Sequence, residues 1–249
     1  MNQKHTSNRT INFDEIENFD RLSSEWWDEN GPFKPLHQLN PTRIHFIRDV
    51  ILAHFARSMA HDTPFEGLSV LDIGCGGGLV CEPLSRLGAT VLGIDMGEKT
   101  IDVARHHAEQ MGLSIQYRVA STSDLVLEKR KFDVVTALEV VEHVGDVPLF
   151  IQECAQLVRP GGSLIMSTLN RTYKSYLMAI LGAEYILRWV PPGTHQWEKF
   201  LTPAELANYL RHEGIIIKEL RGLEFNPITW SWSLGSDLAV NYLVYGAKA

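Results

Sequence analysis

The chain has 249 residues, 45% of them hydrophobic and 21% charged, which suits one globular domain with a sizeable core. Its net charge of −7 argues against general nucleic-acid binding, which normally leaves a basic footprint. Its three cysteines, Cys75, Cys81 and Cys154, are spaced neither as a zinc site nor as a disulfide framework, and a reducing cytosol fits them.

Residues 1–10 read as a polar tail without the apolar run of a secretory signal. Phe13, Ile16, Phe19 and Leu22 recur at helical spacing, so Asn12–Trp27 is expected as an amphipathic helix, ended by Gly31-Pro32. Pro35–Asn40 reads as a loop, and Pro41 as the first-turn residue of a helix running to about Met59. Residues 1–62 thus form a tail and helical lid ahead of the sheet. Trp26 and Trp27 are assigned to the core without a further role.

From Ser69 the pattern alternates. Strands are expected at 70–73, 90–94, 114–118, 132–138 and 163–168, with helices at 79–87, 98–111 and 147–158 between them. Arg159-Pro160-Gly161-Gly162 is a turn, and Pro203–His212 a helix capped by Thr202. Ile215–Leu220 and Leu238–Ala247 follow with no helix between them, as an antiparallel edge hairpin. The expected fold is a single α/β domain over 1–249, a doubly wound sheet.

Val70–Gly78 reads as a buried strand, a glycine turn and a helix start, answered by Asp95 at the tip of the next strand. Glycines bring backbone N–H groups close to a ligand, and a carboxylate at Asp95 suits both hydroxyls of a ribose. The dinucleotide fingerprint G-x-G-x-x-G is incomplete, because Leu79 stands where its third glycine belongs. Asp72 would repel a pyrophosphate but suits a cationic ligand such as S-adenosylmethionine. The turn resembles motif I of class I methyltransferases, with Asp72, Gly74, Gly76 and Gly78 in place.

The strand at 132–138 ends in Glu139-Val140-Val141-Glu142-His143. If a helical turn follows Glu139, the i, i+3 and i+4 spacing puts Glu139, Glu142 and His143 on one face. Three readings stay open: a capping and ion-pair cluster, His143 as a lone general base, or a divalent-metal site for magnesium, manganese or zinc.

These pieces resemble the ubiquinone biosynthesis O-methyltransferase family from Phe19 to the C-terminus. The matching segments are F-x-x-L-x-x-x-W-W-D (Phe19 to Asp28), G-x-F-K-P-L-H (Gly31 to His37), N-P-x-R (Asn40 to Arg43), LDIGCGGG, EVVEHV, STLNRT (Ser167 to Thr172) and GTHQWEKF (Gly193 to Phe200). The resemblance implies a seven-stranded Rossmann-like sheet. It implies an O-methyltransferase that uses S-adenosylmethionine on two polyprenylated catechol-type acceptors, 2-polyprenyl-6-hydroxyphenol and 3-demethylubiquinol. Arg43 would reach the donor's carboxylate, Gly74 its methionine moiety, Asp95 its ribose and Asp124 its adenine amino group, with Leu138 at the strand tip. Glu139, Glu142 and His143 would hold the divalent ion, and His143 or His195 would take the acceptor's proton. A bacterial cytoplasmic location against the inner membrane follows, together with other proteins of the pathway as partners.

Residues 171–200 read as an insertion. Tyr173–Val190 is apolar but broken by Gly182 and Glu184, too short to span a bilayer and flanked by Arg171, Lys174 and Arg188. It suits a helix lying on an anionic membrane surface or a cap over the site, and both can hold.

Overall fold

The structure, a computed structural model, describes residues 20, 22–177 and 197–249. A sheet of eight strands runs through it in the order β3-β2-β1-β4-β5-β8-β6-β7. Its strands are β1 (Ser69–Ile73), β2 (Thr90–Asp95), β3 (Gln116–Val119), β4 (Phe132–Leu138), β5 (Val158–Leu169), β6 (Ile215–Asn226), β7 (Ser231–Gly235) and β8 (Asn241–Lys248). β1 to β5 are parallel, and β8, β6 and β7 complete the sheet antiparallel. The expected doubly wound sheet is present, with one strand more than the seven expected. β7 escaped the sequence reading because Ser231-Trp232-Ser233 carries no long apolar run.

The helices of six or more residues among the described ones are α1 (Lys34–His54), α2 (Cys81–Arg86), α3 (Glu98–Gln110), α4 (Thr122–Leu127), α5 (Val147–Leu157) and α6 (Pro203–His212). Period-2 alternation sends Val70, Val134 and Ile165 to one face, against Ile47 of α1, Leu84 of α2 and Ile101 of α3. Leu71, Val135 and Leu164 point the other way, against Leu125 of α4, Ile151 of α5 and Leu206 of α6. The strands are apolar on both faces because both faces are covered.

Pro41 does not start its helix. α1 begins at Lys34 with Pro35 in the first turn, and Pro41 lies inside. An interior proline costs roughly 3 kcal/mol. Burial of Leu39, Phe46, Ile47, Val50 and Ile51 holds the helix across it. The helix expected at Asn12–Trp27 falls mostly outside the described residues; Ser23–Glu25 is a 3-10 turn. The Arg159–Gly162 turn is a loop-out inside β5, where the pairing jumps from Phe132↔Val158 to Val134↔Ser163.

The strand order reverses between β1 and β4, and in open α/β sheets ligands bind at the carboxyl ends of the strands at such a point. The glycine turn leaves β1 there, and Glu139 leaves β4 beside it.

Candidate active site

The glycine turn closes against β2. Cys75 N–H donates to the Ile94 carbonyl at 3.0 Å, and Gly76 N–H to Asp95 Oδ2 at 3.0 Å. Gly74 has φ +66° and lies so close to Val140 that a Cβ would come 2.5 Å from Cγ2. Gly76 has φ +53°, and a Cβ there would strike the Trp26 ring at 2.1 Å. Both positions therefore demand glycine for conformation and for space.

Asp95 sits on the rim, partly exposed, and also accepts from Gly97 N–H at 2.9 Å. Burial raises its pKa against those backbone hydrogen bonds. Asp72 lies beneath the turn. It accepts from Thr136 Oγ1 at 2.6 Å and Cys81 Sγ at 3.3 Å. Burial pushes its pKa up to about 6, while these bonds and the Arg43 charge pull it down.

Arg43, from α1, is 5% exposed. Its Nη2 faces Glu139 Oε1 at 3.3 Å, yet Nε and Nη2 make no hydrogen bond. Buried donors of a guanidinium are expensive to leave unmade, so this end of the rim fits an incoming carboxylate.

The segment after β4 is not the helical face expected for Glu139, Glu142 and His143. Glu139 has φ +55°, Val140 has φ −119°, and only Val141–His143 form a 3-10 turn. The positive φ turns the Glu139 carboxylate toward β5 and β8, where it accepts from Ser167 Oγ at 2.7 Å and Asn241 Nδ2 at 3.2 Å. Burial opposes ionisation of Glu139, but the Arg43 charge and these bonds outweigh it, and its pKa falls. Glu142 accepts from Thr168 Oγ1 at 2.8 Å. Burial and the neighbouring Glu139 charge raise its pKa to about 8. Glu139 is thus the stronger acid of the two neighbours and Glu142 the weaker. His143 is half-buried at the outer end of this turn. Among the described residues no group of three His, Cys, Asp or Glu side chains is placed to hold a metal ion. The structure does not show the expected ligand trio as a metal-holding group: Glu139 is engaged by Arg43, Ser167 and Asn241 and Glu142 by Thr168, although the two carboxylates also meet each other.

The tryptophans given no role are on the site. Trp26 is 6% exposed, with its ring on Gly76 and Gly77. Trp27 Nε1 donates to the Gly77 carbonyl at 3.1 Å, and its ring stacks on His107 at 3.5 Å. Asp20 accepts from Thr100 N–H at 3.1 Å and Oγ1 at 2.9 Å, His37 Nε2 meets the Trp26 carbonyl at 2.8 Å, and Asn40 Nδ2 donates to the Leu79 carbonyl at 2.7 Å. These contacts clasp the front segment over the turn. A turn of bare glycines leaves its space to large rings brought from elsewhere in the chain.

Leu138 ends β4, 8% exposed. Asp124 is spent partly on local structure: its carboxylate accepts from Ser121 N–H at 2.8 Å and Oγ at 2.7 Å as a capping box for α4. His195 and most of the insertion lie outside the described residues. Of the cations expected to flank the insertion, Arg171 is paired with Glu205 and Lys174 with Asp237. No described helix is long and apolar enough to cross a membrane.

A methyltransferase domain model matches residues 71–166. The magnesium protoporphyrin IX methyltransferase of Synechocystis PCC 6803, solved with bound SAH, superposes with a TM-score of 0.63 at 20% identity, covering 94% of each chain. The same protein with bound SAM gives 0.61 at 19% identity, over 98% of this chain and 100% of that one. The ubiquinone biosynthesis O-methyltransferase of Roseobacter denitrificans is 52% identical over 240 residues, 96% of this chain and 97% of that one. The protein of the same name from Chelativorans sp. is 49% identical over 239 residues, 96% and 94% of the two chains. The fold is the class I methyltransferase fold, and the chain belongs to the ubiquinone biosynthesis O-methyltransferase family.

Proposed function

We propose that the protein transfers the methyl group of S-adenosylmethionine to a ring hydroxyl of a polyprenylated catechol in ubiquinone biosynthesis, with 2-polyprenyl-6-hydroxyphenol and 3-demethylubiquinol as its two acceptors. The observation that carries this is a glycine turn held by the Asp95 carboxylate together with a buried Arg43 two of whose nitrogens make no hydrogen bond. Asp95 suits a ribose, Arg43 a carboxylate, and Asp72 beneath them a cation.

The donor supplies an electrophilic methyl on a sulfonium. The chain's residues do the rest. Arg43 and Asp95 fix the donor's two ends, and alignment of this kind supplies much of the rate. A phenol, with a pKa near ~10, is a poor nucleophile at neutral pH. His143, at the outer end of the rim, takes its proton. Glu139 and Glu142 orient the turn that carries His143 through Ser167, Thr168 and Asn241. A divalent ion would displace the Glu142 proton and draw on Glu139 once Arg43 turns to the donor; no step here is routed through one. We assign Asp124 to the adenine amino group, its carboxylate capping α4 through Ser121 at the same time.

The polyprenyl tail gains about 0.8 kcal/mol per CH₂ buried in lipid, so the acceptor has to be collected from a bilayer. The apolar insertion supports a loose, peripheral seat on an anionic bacterial inner membrane, beside other enzymes of the pathway. Liposome flotation of Leu177→Asp/Leu181→Asp is expected to fail where the wild type floats; equal flotation removes this element.

The test of the reaction is turnover with isotopically methylated S-adenosylmethionine and short-chain analogues of both acceptors. Label on a ring oxygen of each is expected. A labelled product from neither would remove the reading.

A further inference from the structure

The β6–β7 hairpin extends past the rest of the sheet. β8 begins level with the end of β5, at Leu169↔Asn241, and its pairing with β6 stops at Gly222↔Tyr242. Beyond that, β6 pairs only with β7, from Leu223↔Leu234 to Asn226↔Ser231. At ~3.3 Å per residue, Leu223–Asn226 carries the tip about 13 Å past Gly222. This is the carboxyl end of the parallel strands, where Glu139 and the glycine turn lie.

The hairpin is built firmly. Asn226 Oδ1 accepts from Ile228 N–H at 2.9 Å and Thr229 N–H at 3.3 Å. Phe225 packs edge-on to Trp230 at 5.3 Å and tilted to Trp232 at 5.1 Å. Thr42, the neighbour of Arg43 in α1, donates Oγ1 to the Trp232 carbonyl at 3.2 Å. Yet the tip holds Ile228 in the open, 92% exposed, beside Trp230, 43% exposed. Phe225–Ser236 contains no charged residue. A single exposed apolar residue means little. An uncharged aromatic hairpin that stands off the working rim is different, because the exposed faces of Ile228 and Trp230 gain from an apolar environment.

A second copy of the chain is disfavoured by area: a stable interface buries ~800 Å² per partner, more than such a tip presents. A bilayer has no such requirement. It also lies on the side from which a prenylated acceptor comes, a point that rests on the proposed function above. The start of the insertion rises from the same end, tied to the hairpin's base by the Lys174–Asp237 ion pair and by Thr172 Oγ1 donating to the Ala239 carbonyl at 2.5 Å.

We propose that the tip of the β6–β7 hairpin, Ile228 and Trp230, is a lipid-contacting wedge that seats the catalytic rim on a bilayer by apolar burial rather than by charge. It works beside the insertion and independently of anionic lipid.

The experiment is co-sedimentation with phosphatidylcholine vesicles at low and high salt, comparing wild type with Ile228→Ser/Trp230→Ser. The variant is expected to partition about tenfold more weakly at both salt concentrations, with turnover of a water-soluble short-chain catechol unchanged. Brominated lipid is expected to quench wild-type fluorescence more than that of Trp230→Phe, which keeps the ring bulk and tests the contact without disturbing the fold. Equal partition of wild type and the double variant, or equal quenching, would overturn the proposal. So would loss of soluble-acceptor turnover with vesicle binding intact, which would assign the hairpin to the acceptor pocket. A wild-type sedimentation coefficient that rises with concentration and falls in the variant would assign it to a second copy. Absence of any wild-type methylation of the soluble acceptor would instead strike the reaction itself and leave the vesicle comparison readable.

Discussion

Arg43 faces Glu139 at 3.3 Å with two of its nitrogens unbonded in a buried place. Its hydrogen bonds to a charged ligand are worth about 1.5–3 kcal/mol each. Arg43→Gln is therefore expected to weaken S-adenosylhomocysteine binding by roughly ten- to a hundredfold, measured by calorimetry. His143→Ala is expected to leave that affinity unchanged while lowering kcat by about 10²–10⁴. An affinity loss matching the kcat loss would put His143 in the donor site rather than on the acceptor's proton. Asp72 gives a pH signature. Its folded pKa, about 6, stands above the ordinary 3.8. Between those values the folded chain keeps a proton that the unfolded chain has released. Its contribution to stability is thus full below 3.8 and lost as pH rises through 6. A cationic donor reverses the preference, so binding expels that proton and affinity rises as pH climbs through about 6. Calorimetry near that pH in buffers of differing ionisation enthalpy should show proton release with wild type and none with Asp72→Asn; equal release from both would mean Asp72 is not the group.

Among the elements, the front segment from Asp20 to α1 has most to do for its size. Trp26→Ala removes a ring seated on Gly76 and Gly77, and an aromatic truncation in a packed place costs about 3–5 kcal/mol. Urea unfolding should show a loss in that range, and a loss under about 1 kcal/mol would mean the ring does not brace the turn. This segment was the least legible in the sequence. Alternation and glycine punctuation located β1, β2, β4 and α6 because local pattern and burial agree there. Pro41 misled because a proline reads as a helix start, and only the burial of Leu39, Phe46 and Ile47 against the sheet shows why the helix runs through it. The role of Trp26 depends on a long-range contact that no local pattern encodes. Glu139 misled differently: helical spacing was assumed across a residue whose backbone takes φ +55°. That choice is made by hydrogen bonds to Ser167 and Asn241, distant in sequence.

At the scale of the whole molecule, two cores hold one sheet, and we place the reaction where strand order reverses between β1 and β4. The donor side that we propose for that rim uses Gly74, Gly76, Asp95 and Arg43, without the Glu142–His143 turn. EDTA-treated protein is accordingly expected to bind S-adenosylhomocysteine as tightly as untreated protein; a loss restored by magnesium, manganese or zinc would place an ion inside the donor site. The glycine turn and Asp95 were legible in the sequence because close backbone approach leaves glycines, and a strand tip leaves its acid, in fixed places. The turn that carries Glu142 and His143 was less legible, because it is set by hydrogen bonds to Ser167, Thr168 and Asn241, far off in sequence. The most direct measurement is a crystal structure with S-adenosylhomocysteine bound. It should show the ribose hydroxyls on Asp95 and the amino-acid carboxylate on Arg43, with Arg43 turned from Glu139. A ligand lying elsewhere, with Arg43 still facing Glu139, would contradict the account.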